Sequence, residues 1–308
     1  MADFTEYGTP SAEWIALEAT LPESPKDLSV EQLKELLNKG REARAAEDML
    51  DGLSAAVQLH DYTITARDGT PLEARTYRPV GVPTSERLPV YVHFHGGGFF
   101  FGTLSSEDAI CSRIVTSHVQ KGTPVVVLNI NYRHSPEYTY PTAWNDAEDA
   151  FVWLHENIAE IGGLSEQVVV GGISAGAWLT ASLALAQLRG EDKRLAACPK
   201  IAGQVLMIPC LVQWDHYAPR LEQLKSPELS SYVQCAEAPV LPVARMKMFN
   251  GLLGLSDIKD AAGDRRMSPG NATAEEVKDL PPTTFGIAGN DPLRDEGLFY
   301  GQHLAANG

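Results

Sequence analysis

Residues 167–188 read QVVVGGISAGAWLTASLALAQL. The run carries no charge and is long enough to cross a bilayer, but its texture is not that of a membrane span. Val168-Val169-Val170 is β-branched and short, Gly171, Gly172 and Gly176 punctuate the next stretch, and an Ala/Leu-rich segment begins only after Ser174. A strand, a tight turn and a buried helix fit this pattern better than one long helix. Within it, Gly172-Ile173-Ser174-Ala175-Gly176 has the form G-x-S-x-G. A serine on a very tight strand-to-helix turn has its Oγ pushed into the open. Flanking glycines tolerate the strained backbone and let helix and strand pack closely. The helix N-terminus also favours negative charge developing nearby. Ser174 is therefore a candidate nucleophile.

Upstream, His95-Gly96-Gly97-Gly98 comes directly after the apolar run PVYVHF at 89–94. Consecutive glycines let backbone N–H groups point at one spot without side-chain obstruction, which is how an oxyanion hole is built. Gly97, Gly98 and Ala175 are the candidate donors. His93 and His95 lie two apart, on one face of a strand. No third ligand occurs at metal-site spacing, so both read as structural and no metal is expected.

The remaining elements fall around these two motifs. Residues 1–50 read as helical, with a capping box at Ser29-Val30-Glu31-Gln32. Residues 57–66 and 72–78 suggest two strands joined by a turn at Asp68-Gly69. The run 124–130 reads as a buried strand. In 141–159, Trp144, Ala147, Phe151, Leu154 and Ile158 share one helical face, and Gly162-Gly163 closes the helix. Strand 167–172, helix 175–189, strands 201–208 and 283–288, and helix 292–306 complete the alternation. The predicted fold class is α/β, a mostly parallel twisted sheet with helices on both faces. Segment 209–281 interrupts the alternation with Pro209, Pro219, Pro227, Pro239, Pro242 and many aromatic residues. It reads as an insertion over the C-terminal sheet edge, where open α/β sheets bind ligands. The division expected is a helical cap segment over 1–55 and a core over 56–308, with the cap insertion at about 209–281.

Composition narrows the function classes. The 308 residues are 44% hydrophobic and 21% charged, ordinary values for a globular chain. The formal charge of −15 opposes binding to phosphate backbones, so nucleic acid is an improbable partner. Cys111, Cys198, Cys210 and Cys235 are widely spaced and read as free thiols in a reducing compartment. MADFTEYGTP has neither the basic nor the apolar region of a secretory leader, so a cytoplasmic location is expected. The Asn271-Ala272-Thr273 sequon is accordingly read as chance. No membrane span is expected, and a homodimer is compatible with the sequence.

From about residue 55 to 308 the chain resembles the hormone-sensitive-lipase-like carboxylesterase branch of the α/β-hydrolase family. The resemblance rests on G-x-S-x-G at 172–176, HGGG at 95–98, Tyr132-Arg133-His134-Ser135-Pro136-Glu137 together with Pro141 and Asp146, and Gly289-Asn290-Asp291-Pro292-Leu293-Arg294-Asp295-Glu296. It implies the α/β-hydrolase fold with a helical cap, no cofactor, and hydrolysis of a small-molecule ester through an acyl-enzyme on Ser174. Asp291 is the implied triad acid, with Asp295 and Glu296 its competitors, and Tyr132 through Glu137 are structural support. The family often carries an acidic residue just before the nucleophile; Ile173 stands there. The family pattern also continues past the acid into a further strand, a histidine-bearing loop and a final helix. These are missing from a chain ending at Gly308, so the triad histidine is expected beyond residue 308. His303 falls within the last helix, and His118, His134, His155 and His216 precede Asp291. The aromatic residues Phe99, Phe100, Phe101, Trp178 and Trp214 suggest an apolar acyl or aryl substrate. Two alternatives are a receptor-like protein that binds without turnover, and acyl transfer, lactone or cyclisation chemistry on the same scaffold.

Overall fold

The computed structural model describes residues 1–21, 28–255, 258 and 263–308. Seven strands form one sheet in the order β1-β2-β4-β3-β5-β6-β7. β1 (Val57–Thr65) and β2 (Pro71–Pro79) form an antiparallel hairpin, and β2 runs antiparallel to β4 (Val126–Asn131). β3 (Leu88–Phe94), β4, β5 (Gly163–Ile173), β6 (Gly203–Met207) and β7 (Thr283–Gly286) are mutually parallel. The central strands are apolar on both faces because both faces are covered: Val90, Val92, Phe94, Val126, Val127, Leu128, Val168 and Val170 are all buried.

The longer helices are α1 (Ala12–Glu18), α2 (Val30–Asp48), α3 (Asp108–Gln120), α4 (Thr142–Glu156), α5 (Ala175–Arg189), α6 (Val243–Leu252) and α7 (Arg294–Asn307). α2 starts at the expected capping box: the Gln32 N–H donates to Ser29 Oγ and the Ser29 N–H donates to Gln32 Oε1. Residues 22–27 of the predicted helical stretch, and 256–257 and 259–262 of the predicted insertion, lie outside the described residues. No described helix is long and apolar enough to cross a membrane.

Three elements differ from expectation. α3 has no counterpart in the sequence pattern, because Ile110, Ile114, Val115, Thr116 and Val119 disguise a helix as strand-like material. Its buried face is Ala109, Cys111, Ser112 and Val115. The helix predicted over 141–159 stops at Glu156, and Ile158 belongs to a separate short turn of helix. β5 begins at Gly163 rather than 167, since Gly163 pairs with Leu88 and a register irregularity before Val90 absorbs the offset.

α4 buries the predicted Trp144, Ala147, Phe151 and Leu154, but also Asp146. The Asp146 carboxylate accepts hydrogen bonds from the Arg133 backbone N–H at 2.9 Å and from its guanidinium at 2.6 Å. This pair ties the loop after β4 to α4 beneath the C-terminal edge of the sheet. Asp146 is fully buried and the Arg133 side chain is 10% exposed. Removing Asp146 leaves Arg133 its outer ion pair with Asp68 at 2.7 Å, which puts the loss at the low end for breaking a buried pair, about 3 kcal/mol. Asp146→Ala should therefore lower unfolding stability by about 3 kcal/mol in a denaturant titration.

Candidate active site

β5 ends at Ile173 and α5 begins at Ala175, so Ser174 alone makes the turn. Its backbone has φ 54° and ψ −112°, a conformation costing a non-glycine residue on the order of 1–3 kcal/mol. Two hydrogen bonds hold it there. The Ser174 N–H donates to the Met207 carbonyl at the end of β6 (2.8 Å), and the Ser174 carbonyl accepts from Trp178 N–H (3.0 Å). Tight packing requires glycine next to it: a Cβ on Gly176 would lie 1.9 Å from the Phe94 carbonyl oxygen. Ile173 is half-buried just ahead of the turn.

Ser174, Ala175 and Gly98 share the wall of one cavity. Phe99 and Trp178 form its base, and Cys210, Val212, Trp214, Tyr232, Met246, Phe249 and Leu253 close it from the segment between β6 and β7. Gly97 is not part of the wall and sits one residue behind it. Among the described residues, the N–H groups of Gly97, Gly98 and Ala175 donate to no acceptor. The Phe249 ring lies against Gly98, where a Cβ would meet it at 2.2 Å. Phe100 is fully buried, away from the cavity wall, and its ring neighbours Phe101 and Phe249.

The loop is backed by a buried polar layer. The His95 ring stacks on Tyr132 with centroids 4.3 Å apart, and the Tyr132 hydroxyl donates to the His95 carbonyl at 2.8 Å. Burial pushes His95 down to about 4, so its imidazole is neutral at neutral pH. Its Nδ1 lies 2.9 Å from the Gly96 carbonyl and its Nε2 3.3 Å from Nε2 of His134, which burial also drives well below the usual histidine range. His93 instead meets the buried Glu107 through Nε2 at 2.9 Å. Burial alone would raise Glu107, but His93 and the Arg41 guanidinium bring it down to about 2. Each ring nitrogen with a partner here is engaged by protein. Among the described residues no cluster of three or more metal-type side chains occurs.

Asp291 lies in the loop between β7 and α7. Its carboxylate accepts from the Leu293 N–H at 2.8 Å, and burial raises it above the ordinary range. It does not line the cavity, although Leu293 does. Burial, and after it the charges of Glu296 and Asp291, pushes up the Cys210 thiol in the cavity wall. None of the eight histidines lines the cavity. His303 lies in α7, within 3.3 Å of the Asn307 amide.

The two competing acids have a different use. Asp295 accepts from the Ser231 N–H at 2.8 Å and from Arg294 Nε at 2.9 Å. Glu296 accepts from the N–H groups of Leu211 and Val212 at 2.5 and 3.0 Å, and from the Tyr232 hydroxyl. Val212 and Tyr232 line the cavity, so the first turn of α7 fastens the outer wall of the site. This role escapes a reading that sorts acids by catalytic motif. The available signal is a pair of carboxylates inside an otherwise buried first turn.

The fold and site together define an α/β hydrolase. The chain belongs to the α/β-hydrolase fold family, whose model matches residues 91–308. Esterase LipI of Mycobacterium tuberculosis is 34% identical over 239 residues, 77% of this chain and 66% of LipI; the chain thus spans about two thirds of that relative. A thermostable esterase from Pseudomonas putida superimposes with a TM-score of 0.75 at 29% identity, covering 95% of this chain and 81% of the esterase. Vibralactone cyclase superimposes with a TM-score of 0.82 at 26% identity, covering 98% and 84% of the two chains.

Glu296 has a measurable pH signature. Burial, with a smaller contribution from the charge of Asp291, lifts it to about 7 against three opposing hydrogen bonds. The folded chain then keeps a proton that the unfolded chain releases near 4.5. The associated stability is present below about pH 4.5 and is lost as pH rises through about 7. A rise from 4.5 to about 7 is worth on the order of 3 kcal/mol. Glu296→Gln keeps acceptors for both amides, so it should flatten this slope when denaturant midpoints at about pH 5 and about pH 8 are compared.

Proposed function

We propose that the chain is a serine carboxylic-ester hydrolase acting on small apolar acyl or aryl esters. The observation that carries this reading is the pairing of Ser174, strained at φ 54°, with Gly98 and Ala175 on one apolar cavity wall. The N–H groups of Gly97, Gly98 and Ala175 have no acceptor among the described residues. Esterase relatives such as LipI support the same reaction class. The helices of residues 1–55 and the segment 209–281 act as a cap over a core formed by the rest of 56–308. The apolar residues that segment 209–281 contributes to the cavity support this division.

In this mechanism Ser174 Oγ attacks the ester carbonyl carbon. The carbonyl π electrons move to oxygen, and the resulting oxyanion accepts hydrogen bonds from Gly97, Gly98 and Ala175. A histidine takes the serine proton and gives it to the departing alcohol. Asp291 orients that histidine and stabilises its charged form. Water then attacks the acyl-enzyme, the Ser174–acyl bond breaks, and the acid leaves.

The likeness to vibralactone cyclase favours a second outcome from the same intermediate. An acyl-enzyme opened by a hydroxyl of its own acyl chain gives a lactone, with no water consumed. A hydroxyacyl ester substrate separates the two outcomes by product mass.

The full-length protein should hydrolyse p-nitrophenyl butyrate and form a covalent adduct with a fluorophosphonate probe at Ser174. Ser174→Ala should abolish both, with a loss in turnover on the order of 10⁶. Peptide mass mapping that finds no adduct on Ser174 would overturn the proposal.

A further inference from the structure

The three glycines at 96–98 have no side chains by which to hold a peptide plane in place, so its orientation must be imposed from outside. At the Gly96–Gly97 peptide, which is trans, two donors impose it. Arg41 NH1 donates to the Gly96 carbonyl at 2.9 Å, and His95 Nδ1 meets the same oxygen at 2.9 Å. A carbonyl oxygen has two lone pairs, and both are taken. In a trans peptide the N–H points opposite to the C=O. The N–H opposite this carbonyl belongs to Gly97, and it has no acceptor among the described residues.

We propose that Arg41, on α2, is a positioning residue for the oxyanion donors: it locks the Gly96–Gly97 peptide so that the Gly97 N–H is presented to developing negative charge. This assignment rests on the hydrolase reading above. A charged donor on the carbonyl also polarises the amide, strengthening the N–H at its other end.

Arg41 is itself held firmly. Its NH2 pairs with Glu107, a fully buried carboxylate that also holds His93 Nε2 at 2.9 Å and accepts from Ser106 Oγ at 3.1 Å. Its guanidinium lies 5.4 Å from the Phe101 ring centroid. The helix carrying it docks through the same face. Lys34 donates to the Ser135 carbonyl at 3.1 Å, Asn38 accepts from the Gly102 N–H at 2.8 Å, and Glu42 accepts from Thr103 Oγ at 2.7 Å. Positions 34, 38, 41 and 42 fall on one stripe of an α-helix. The N-terminal segment is thereby coupled to the chemistry through one guanidinium.

The test uses Arg41→Lys, which keeps a positive charge beside Glu107 but replaces a two-nitrogen fork by a single point. Arg41→Met would leave the buried carboxylate short of a cation and risks failing to fold. Lys34→Met is the control, since it loosens α2 at Ser135 without touching Gly96. For Arg41→Lys in the full-length protein we expect a thermal midpoint close to that of the unaltered protein. The kcat on p-nitrophenyl butyrate should fall about tenfold to a hundredfold with KM little changed, short of the ~10²–10³ for deleting a donor. The Gly97 amide resonance in a ¹H–¹⁵N spectrum should move. Lys34→Met should stay within about twofold in kcat. An unchanged kcat or an unmoved Gly97 resonance in Arg41→Lys overturns the assignment, as does an equal loss in Lys34→Met. If the unaltered protein shows no Ser174-dependent turnover, the hydrolase reading falls and the Gly97 resonance alone decides whether Arg41 fixes the peptide.

Discussion

The site depends on one steric constraint, the contact between the start of α5 and the end of β3. Gly176 lets the helix approach until only a hydrogen can stand between its Cα and the Phe94 carbonyl. Because α5 is that close, the chain leaving β5 has a single residue in which to turn, and Ser174 takes the strained conformation. The cost is offset by a helix whose first eleven residues are all buried. It is also offset by the hydrogen bond from Ser174 to β6. The same approach brings the N-terminus of α5 beside the loop after β3. Two segments nearly eighty residues apart thus meet with amides on both sides that have no acceptor among the described residues. The serine is presented by backbone geometry rather than by any side chain reaching for it.

Around that contact the protein uses buried acidic side chains as fastening. Asp146 holds Arg133 under the sheet edge, Glu107 holds His93 and Arg41 behind the glycine loop, and Asp295 and Glu296 hold the outer wall from α7. Each joins separate segments of the chain. The ion pairs among these contacts contribute little net stability relative to apolar packing, but they punish misplacement strongly. They suit a site whose loops contain glycine and need their geometry specified from outside. The apolar residues do the complementary work: Phe99 stacks on Trp144 and meets Trp178 edge-on, forming a rigid floor beneath the cavity.

Legibility in the sequence tracks this division. Glycine-dependent geometry is local, so the turn at Ser174 and the loop at 95–98 can be read from short stretches. The central strands are equally plain, because burial on both faces leaves an unbroken apolar run. The fastenings are not legible. Lys34, Asn38, Arg41 and Glu42 look like a solvated helix face, and only the tertiary structure shows that they face protein. Asp295 and Glu296 can be ranked as acids, but the backbone amides they hold lie more than sixty residues upstream. α3 is hidden for another reason: its β-branched residues favour strand locally, and packing against β2 and α2 overrides that preference. Gly97 shows the limit of motif reading. The motif names it as a donor, but its position behind the wall and the state of its peptide require coordinates.

The docking face of α2 also bears on how the chain is made. During synthesis the N-terminal part emerges first, at roughly 5–20 residues per second. α2 is complete once residue 48 has appeared, but its partners at Gly96, Gly102, Glu107 and Ser135 emerge 55 to 101 residues after the side chains that contact them. On the ribosome it must therefore wait several seconds without a surface to bind. The lysine, asparagine, arginine and glutamate of its docking face are hydrated until the groove arrives, and only Val30, Leu33, Leu37 and Ala45 beside them wait as apolar surface.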